Sequence, residues 1–447
     1  RQEDFMASSG VQREAAALDD AEVVFVGYGI EAPEYEWDDY KGADLDGKVL
    51  LMLNNDPDWD PELFAGERRL YYGRWTYKYE SAARHGAAGA IIIYTHPSAG
   101  YPWQVVQTSW SGEQFELPAA DEPRIQVAGW LTEAAASEMV ALGGHSLEEL
   151  VEQARSREFA PVPLAVRTSL RLQNAVRQVQ TANVLGRLPG RDAELTEEAV
   201  VYSAHHDHLG VADPADVEGD DLIYNGALDN AAGCAQVLAI ARAFTELPQP
   251  PRRSILLAFV GAEEQGLLGS KYFAEHPTIP AGRMAAVINY DRGNIWGRTS
   301  DLTFVGMEKS DLGELVQRLA EEQGRTVKPD QFPDRGFYYR SDQFSFAKVG
   351  VPGIYLDTGT EFVGRPEGWG KEQIEAWEAE HYHQPSDELV DDWSFDGMVD
   401  DARLGFKAGV HLAEREALPR WTPGDEFEAA REAALEEVAA QRTAGGS

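Results

Sequence analysis

Five short segments of the chain carry residue types that bind divalent metal ions. In chain order they are His205-His206-Asp207-His208, Asp229-Asn230, Glu263-Glu264, Asn289-Tyr290-Asp291 and Tyr382-His383. Three of them follow an apolar run that is predicted to be a β-strand, one opens a predicted helix, and one lies in a loop. The carboxyl ends of parallel strands meet at one edge of a sheet, so we expect these side chains to lie close together.

The donors in these segments fit a zinc site. Two histidines and three carboxylates supply mixed nitrogen and oxygen ligands, and one carboxylate can bridge two ions. A pair of ions polarises a carbonyl group and produces hydroxide at neutral pH. Each acid taken alone is more often a helix cap or a solvated charge, and Asp229 stands where a cap would stand. The five segments together favour a metal site.

The adjacent pair Glu263 and Glu264 indicates hydrolytic chemistry. The pair follows the strand predicted for residues 255–260. Just past a strand, one carboxylate can bind a metal while its neighbour faces a bound water. Metal-assisted hydrolysis requires one such ligand and one general base.

The five segments resemble the motifs of the co-catalytic zinc aminopeptidases, which are His-x-Asp, a Gly-rich Asp-Asn loop, Glu-Glu, Asn-x-Asp and Tyr-His. The resemblance implies a zinc exopeptidase with two Zn²⁺ ions per chain. Its metal ligands would be His205 and Asp291 at one ion, Glu264 and His383 at the other, and Asp229 as the bridge. It also implies that Glu263 is the proton shuttle and that Asp207 fixes the tautomer of His205.

A sixth segment, Tyr338-Tyr339-Arg340-Ser341-Asp342-Gln343, extends the resemblance. Some relatives carry a tyrosine three residues before the serine, and on that resemblance Tyr338 is expected to stabilise the oxyanion. Gln343 departs from the histidine that relatives usually carry. His206 and His208, within the first motif, are expected to face away from the metals.

The elements that must position these residues alternate between strands and helices. Apolar runs predict strands at residues 200–204, 253–260, 285–290 and 353–356, with a long helix over 231–246. Strands buried on both faces and alternating with helices predict a doubly wound, mostly parallel α/β sheet. The zinc exopeptidase resemblance implies the same fold.

The chain of 447 residues is too long for one ordinary core, so we expect two domains. Residues 44–49 and 86–92 resemble strands of the protease-associated domain, a smaller α/β domain that often accompanies these enzymes. The predicted organisation is an N-terminal helical segment at 1–20, a protease-associated domain at 21–165, a peptidase domain at 166–420, and a charged helix with a tail at 421–447.

Charge and composition restrict the partners. Lys and Arg number 39 against 76 Asp and Glu, which gives a formal net charge of −37. Such a surface repels nucleic acid and anionic membranes, and it equally suits solubility in salty surroundings. No apolar run approaches the roughly 20 residues that span a membrane. Cys234 is the single cysteine, so no intrachain disulfide forms.

The sequence therefore predicts a metallo-exopeptidase that acts on peptides, with an aminopeptidase as the leading hypothesis. A carboxypeptidase of the same superfamily is the alternative, because Arg292 or Arg340 would bind a C-terminal carboxylate. A metal-free binding homologue is the non-enzyme alternative, and glutaminyl cyclisation is a further reaction of this fold. Because the chain opens at Arg1 rather than Met, and because relatives are exported, we expect export to the periplasm or medium. The oligomeric state stays open.

Overall fold

The computed structural model describes residues 3–61, 63–119, 122–211, 220–330 and 333–445. The chain divides into two compact units. One comprises Arg1–Val179 and Phe332–Gly336, and the other comprises Gln180–Gln331 and Phe337–Ser447. Within the described ranges, every helix is too short or too polar to cross a membrane.

The described part of the first unit contains a six-stranded sheet in the order β1-β7-β6-β5-β2-β8. Its strands, with a separate short pair β3–β4, are β1 (Phe5–Ser9), β2 (Ala15–Phe25), β3 (Glu31–Ala32), β4 (Trp37–Asp38), β5 (Val49–Leu53), β6 (Gly89–Tyr94), β7 (Val127–Thr132) and β8 (Val162–Gln173). Its helices are α1 (Trp75–Arg84), α2 (His96–Ala99), α3 (Trp103–Ser109), α4 (Glu133–Leu142) and α5 (Leu147–Gln153). Strands β2, β5, β6 and β7 pair in parallel, as expected for an α/β unit.

The predicted N-terminal helix at residues 1–20 is wrong, because this part of the chain forms strands β1 and β2. Ala15, Ala16 and Ala17 favour a helix by intrinsic propensity. They instead pair antiparallel with β8, where Ala16 lies opposite Leu172. The alternating burial of β2 shows that tertiary pairing has overridden local propensity.

The boundary between the two units lies later than the predicted position at residue 165. Strand β8 pairs with β2 from Val162 to Gln173 and completes the first sheet. Its burial alternates along most of its length, as expected for an edge strand with one covered face. The first unit therefore extends to Val179.

The described part of the second unit contains a seven-stranded sheet in the order β16-β15-β17-β14-β10-β13-β9. Its strands, with a separate short pair β11–β12, are β9 (Val184–Leu188), β10 (Ala199–His205), β11 (Gly210–Val211), β12 (Ile223–Tyr224), β13 (Ser254–Val260), β14 (Met284–Asn289), β15 (Asp301–Phe304), β16 (Thr326–Pro329) and β17 (Gly353–Thr358). Its helices are α6 (Ala232–Thr245), α7 (Leu268–Glu275), α8 (Leu312–Glu322), α9 (Gln343–Lys348), α10 (Trp369–Glu380), α11 (Asp396–Glu414) and α12 (Glu428–Gly445).

The centre of this sheet is parallel, which confirms the predicted doubly wound α/β fold. Every residue of β10 and of β14 is buried, as expected when helices cover both faces. The chain passes from β10 to β13 on one side and then to β14 on the other. Such a reversal opens a crevice at the carboxyl end of the central strand, where ligands bind in doubly wound sheets.

The C-terminal helix α12 belongs to the second unit rather than to a separate segment at 421–447. The buried guanidinium of Arg431 donates to the carbonyl oxygens of Ala281 and Met284, at 3.2 and 3.0 Å. Trp421 donates its indole N–H to the Gly350 carbonyl at 3.0 Å. These contacts attach the end of the chain to the start of β14 and to the loop after α9.

Candidate metal centre

The register of the central strands brings three of the predicted segments to one edge. His205, the last residue of β10, lies opposite Val260, the last residue of β13. Ser203 lies opposite Asn289, the last residue of β14. Asp291 is two residues beyond Asn289, so it reaches the level of His205. Glu263 and Glu264 lie just beyond Val260 at the same edge.

Asp229 lies between the two predicted metal-binding histidines. Its Oδ1 atom is 3.2 Å from Nε2 of His205, and its Oδ2 atom is 3.5 Å from Nε2 of His383. Nε2 of His205 is also 3.3 Å from Oδ1 of Asp291. Nε2 of His383 is also 3.1 Å from Oε2 of Glu264. The five predicted ligands therefore form two groups that share the Asp229 carboxylate.

The loop before α6 fixes the position of Asp229, which is only 4% exposed. A cis peptide bond joins Asp229 to Asn230. The side chain of Asn230 accepts the backbone N–H groups of Gly233 and Arg292, at 3.0 and 2.9 Å. It donates to the Tyr290 carbonyl at 2.9 Å. One amide side chain thus connects the Asp229 loop to the end of β14.

The buried charges of the site fit a divalent metal. Burial works against the charged imidazole of His383, yet Asp229 and Glu264 outweigh it and raise its pKa to about 9. Burial also opposes ionisation of Asp229, but His205 and His383 hold the pKa of that carboxyl below its usual range. Imidazole binds a metal only when it is deprotonated, so metal binding would replace protons by cations among these carboxylates.

The donor atoms support the same reading. Nε2 of His383 is buried and finds no hydrogen-bond partner among the described residues, although a carboxylate oxygen lies 3.1 Å away. Three sets of three residues at this edge each bring their donor atoms within 4.8 Å of one another. The sets are His205 with Asp229 and Asp291, His205 with Glu263 and Glu264, and His208 with Asp229 and Glu264. Mixed imidazole and carboxylate donors at such spacing suit zinc.

Glu263 is a carboxyl group at this edge whose pKa is raised, which favours its neutral form. Burial raises its pKa well above the usual value, and the nearby charges of Asp291, Asp342 and Glu264 add to the increase despite His205. A raised pKa makes a carboxyl group suited to carry a proton near neutral pH. Glu263 belongs to one group of donor residues with His205 and Glu264.

A polar network that the sequence did not predict supports Asp291. Ser341 donates its hydroxyl hydrogen to Oδ2 of Asp291 at 2.5 Å. Asn289 donates to Ser341 Oγ at 2.7 Å and to Gln343 Oε1 at 3.0 Å, and it accepts from the Ser203 hydroxyl at 2.6 Å. Gln343, which departs from the usual histidine, therefore helps to hold a ligand in place rather than lining a pocket.

Asp207 lies beside His205, as the resemblance implied, but its closest contacts are different. Nδ1 of His205 is 3.1 Å from the Asp207 carbonyl oxygen and 3.7 Å from its Oδ1 atom. Oδ2 of Asp207 accepts the backbone N–H of Glu264 at 3.3 Å. Asp207 therefore orients His205 through its carbonyl group and holds the glutamate loop through its carboxylate.

The two other histidines of the first motif behave differently from each other. His206 is exposed, and its Nε2 atom lies 3.0 Å from the Ala182 carbonyl oxygen, as expected of a residue that faces away. The same expectation is wrong for His208, because its Nδ1 atom lies 2.6 Å from Oε1 of Glu264. Gly226 makes this possible, since a Cβ atom there would lie 2.8 Å from Cγ of His208.

Tyr338 contacts none of the predicted ligands within the described ranges, so the structure lends no support to its assignment to the oxyanion. Its ring packs on Phe427 and Tyr339, with centroid distances of 6.2 and 5.4 Å, and under the ammonium group of Lys309. Its hydroxyl is buried and finds no hydrogen-bond partner within the described ranges. Packing against Phe427, which is in the C-terminal segment, and against Tyr339 explains why the Tyr338 ring is buried here.

Tyr382 is the aromatic residue that contacts a predicted ligand. Its ring stacks on His383 with centroids 3.9 Å apart, and the Arg292 guanidinium lies 5.0 Å from its centroid. Arg292 in turn donates to Oε1 of Glu378 at 3.1 Å. Tyr382 and Arg292 therefore help to orient His383. The Tyr-His motif in the sequence already placed Tyr382 next to this ligand.

Part of the chain is similar to known proteins. Residues 183–402 match the family described as Peptidase family M28. Aminopeptidase YwaD of Bacillus subtilis is 26% identical over 215 residues, which cover 44% of this chain and 43% of that protein. Leupeptin-inactivating enzyme 1 of Streptomyces exfoliatus is 26% identical over 168 residues, which cover 37% of each chain. The chain thus matches less than half the length of these curated relatives.

Among solved structures, the chain is similar to the aminopeptidase from Aneurinibacillus sp. strain AM-1. The sequence identity is 20% and the TM-score 0.46, with coverage of 93% of this chain and 81% of that one. It is also similar to BSAP, a zinc aminopeptidase from Bacillus subtilis, at 18% identity and a TM-score of 0.41, with coverage of 92% and 79%.

The second unit carries both the parallel sheet and the centre of histidine and carboxylate donors. Residues 183–402, which match peptidase family M28, include all five predicted ligands.

Proposed function

We propose that the chain is an aminopeptidase that uses two zinc ions to hydrolyse the first peptide bond of its substrates. The observation that carries this proposal is the position of Asp229, with one oxygen 3.2 Å from His205 and the other 3.5 Å from His383. A carboxylate shared in this way serves two ions better than one. The names of the relatives support cleavage at the amino end.

The ligands divide between two ions. His205 and Asp291 would hold one ion, Glu264 and His383 the other, and Asp229 would contact both. When bound, zinc supplies Lewis-acid polarisation of the scissile carbonyl and lowers the pKa of water. Ser341 and Asp207 would keep Asp291 and His205 in the orientation that this binding requires.

Glu263 would carry the proton during hydrolysis. Its carboxylate would accept a proton from the attacking water and pass it to the nitrogen of the departing amine. Burial and neighbouring carboxylates raise its pKa, and the charge of bound cations would lower it again toward the neutral range. Acceptance and release of a proton near neutral pH would both then be accessible.

Recognition of a free amino group fits the charge of the site better than recognition of a carboxylate. The centre concentrates carboxylates, which attract an α-ammonium group. Arg292, which we considered as a binder of a C-terminal carboxylate, already donates to Glu378 and stacks on Tyr382. A carboxypeptidase would have to break that ion pair, so the aminopeptidase is the function that these contacts favour.

The unit that contains Arg1–Val179 would be a protease-associated domain. The parallel strands β2, β5, β6 and β7, with α1 between β5 and β6, support this proposal. Its residues form their own core, which includes Val23, Phe25, Leu51 and Ile93.

Hydrolysis of a panel of amino-acid 4-nitroanilides and N-blocked dipeptides tests the proposal. We expect release from substrates with a free amino group, abolished by a chelator and restored by zinc. Cleavage of only the N-blocked dipeptides would show a carboxypeptidase instead. Binding of zinc without hydrolysis of either set would refute exopeptidase action and direct attention to N-terminal glutamine cyclisation.

A further inference from the structure

Asp387 binds three consecutive backbone amides of the loop that carries Asp229. Its Oδ1 atom accepts the N–H of Leu228 at 2.8 Å, and its Oδ2 atom accepts the N–H of Asp229 at 3.1 Å. Its carbonyl oxygen accepts the N–H of Ala227 at 3.1 Å. Asp387 is only 1% exposed, so its carboxylate is shielded from solvent.

The same residue lies in the loop that carries His383. Asp387 follows His383 by four positions, and its own N–H donates to the Gln384 carbonyl at 3.1 Å. Hydrogen bonds from amides to a buried carboxylate are charge-assisted and directional. A single side chain therefore connects the loop of the shared carboxylate to the loop of the second histidine.

We propose that Asp387 is a positioning residue that holds the Asp229 carboxylate at the correct distance from His383, and so sets the affinity of the second ion. This inference rests on the two-ion site of the proposed function. Asn230 ties the other side of the Asp229 loop to the end of β14 and Arg292. Loss of Asp387 would leave that side attached, and the ion between His205 and Asp291 would be affected less.

The test is zinc titration of the metal-free full chain by calorimetry, with Asp387→Asn compared with the unaltered protein. Asparagine keeps one oxygen acceptor but turns an N–H donor toward a backbone N–H, so one loop contact is lost. We expect one of the two zinc-binding steps to lose about 10–100-fold in affinity, the usual effect of removing a group that orients a ligand. The other step should change less than about threefold.

Asp301→Asn is the matched control. Asp301 is also fully buried in the second unit, and it accepts the N–H groups of Thr360 and Glu361, at 3.2 and 2.9 Å, away from the metal ligands. It should lose stability without losing zinc affinity. Unchanged zinc affinity in Asp387→Asn, or an equal loss in Asp301→Asn, would overturn the inference while leaving the peptidase intact. Fewer than two zinc ions on the unaltered protein would overturn both this inference and the two-ion proposal.

Hydrogen exchange of the unaltered protein keeps the inference testable if the variant does not fold. The backbone amides of Leu228 and Asp229 should remain protected when zinc is removed, because Asp387 rather than the metal binds them. Rapid exchange at these two amides in metal-free protein, with the strands of the sheet still protected, would overturn the inference.

Discussion

Ser341 donates its hydroxyl hydrogen to Oδ2 of Asp291 at 2.5 Å, and both atoms lie at the carboxyl end of β14. The serine is 1% exposed, so the contact is shielded from water. A hydrogen bond to a ligand carboxylate fixes which oxygen faces the metal.

We predict that Ser341→Ala lowers zinc affinity by about 10–100-fold, because the freed Asp291 carboxylate can rotate. Chelator competition measures the change. Ser345→Ala is the control, since Ser345 is also buried but contacts the Ser270 hydroxyl at 2.9 Å rather than a ligand. Equal zinc retention in the two variants would contradict the prediction.

Glu263→Gln should lower kcat by about 10²–10⁴-fold while zinc content stays the same. The amide cannot accept the proton of the attacking water, but Asp229, Glu264 and the histidines are unaltered. Metal analysis and turnover of a 4-nitroanilide substrate check both parts. Glu264→Gln is the companion variant and should lose zinc, because its Oε2 atom lies 3.1 Å from Nε2 of His383. Turnover by Glu263→Gln above a tenth of the normal rate would remove Glu263 from the mechanism.

Two adjacent histidines should give opposite results. His205→Ala should abolish zinc binding at one position and reduce kcat/KM by at least about 10²-fold, because His205 is buried between Asp229 and Asp291. His206→Ala should keep activity within about threefold, since His206 is exposed and its side chain bonds to the Ala182 carbonyl rather than to a predicted ligand. Similar losses in both variants would show that the histidine assignment is wrong.

Tyr338→Phe should leave kcat within about twofold, because the buried hydroxyl contacts no predicted ligand. Its removal eliminates a polar atom that lacks a partner in the described part of the chain, so unfolding free energy should stay constant or rise by about 1 kcal/mol. Steady-state kinetics and urea unfolding measure the two quantities. A fall in kcat of about 10²-fold would restore the oxyanion role that the sequence predicted.

Lys309→Met should destabilise the full chain by about 3–5 kcal/mol. The buried ammonium group of Lys309 lies 2.8 Å from Asp425 and 2.9 Å from Glu426, and its removal takes away the buried cation between two carboxylates. Lys271→Met is the control, because Lys271 is 44% exposed and lies 3.8 Å from Glu275. Its effect should stay below about 1 kcal/mol. Equal urea midpoints for both variants would contradict a stabilising role for this buried ion pair.

The sequence predicted those elements whose local pattern and tertiary environment agree. The helix predicted for residues 231–246 is α6, and the apolar run at 200–204 lies within β10. Helix α11 was missed because its glycines lower helix propensity. They are required by packing, since a Cβ at Gly405 would lie 1.8 Å from the Tyr290 hydroxyl and one at Gly409 1.7 Å from that of Tyr202.

The predicted ligands meet because each follows a strand or lies in a loop at one edge, and local sequence patterns predict those positions. The residues that hold the ligands in place could not be predicted in this way. Ser341 is in the sixth quoted segment and Asp387 is four residues after His383. Their partners are Leu228, Asp229 and Asp291, which are distant in the chain. Strand register and loop packing decide such contacts, and no local pattern encodes them.

The order of the ligands along the chain delays the appearance of activity during synthesis. His205 emerges from the ribosome long before His383, and the Asp229 loop acquires its clamp only with Asp387. A growing polypeptide that stops short of that loop holds three carboxylates and one imidazole, without the partner that completes the second half of the centre. The ribosome therefore has to make most of this domain before the proposed centre can be complete.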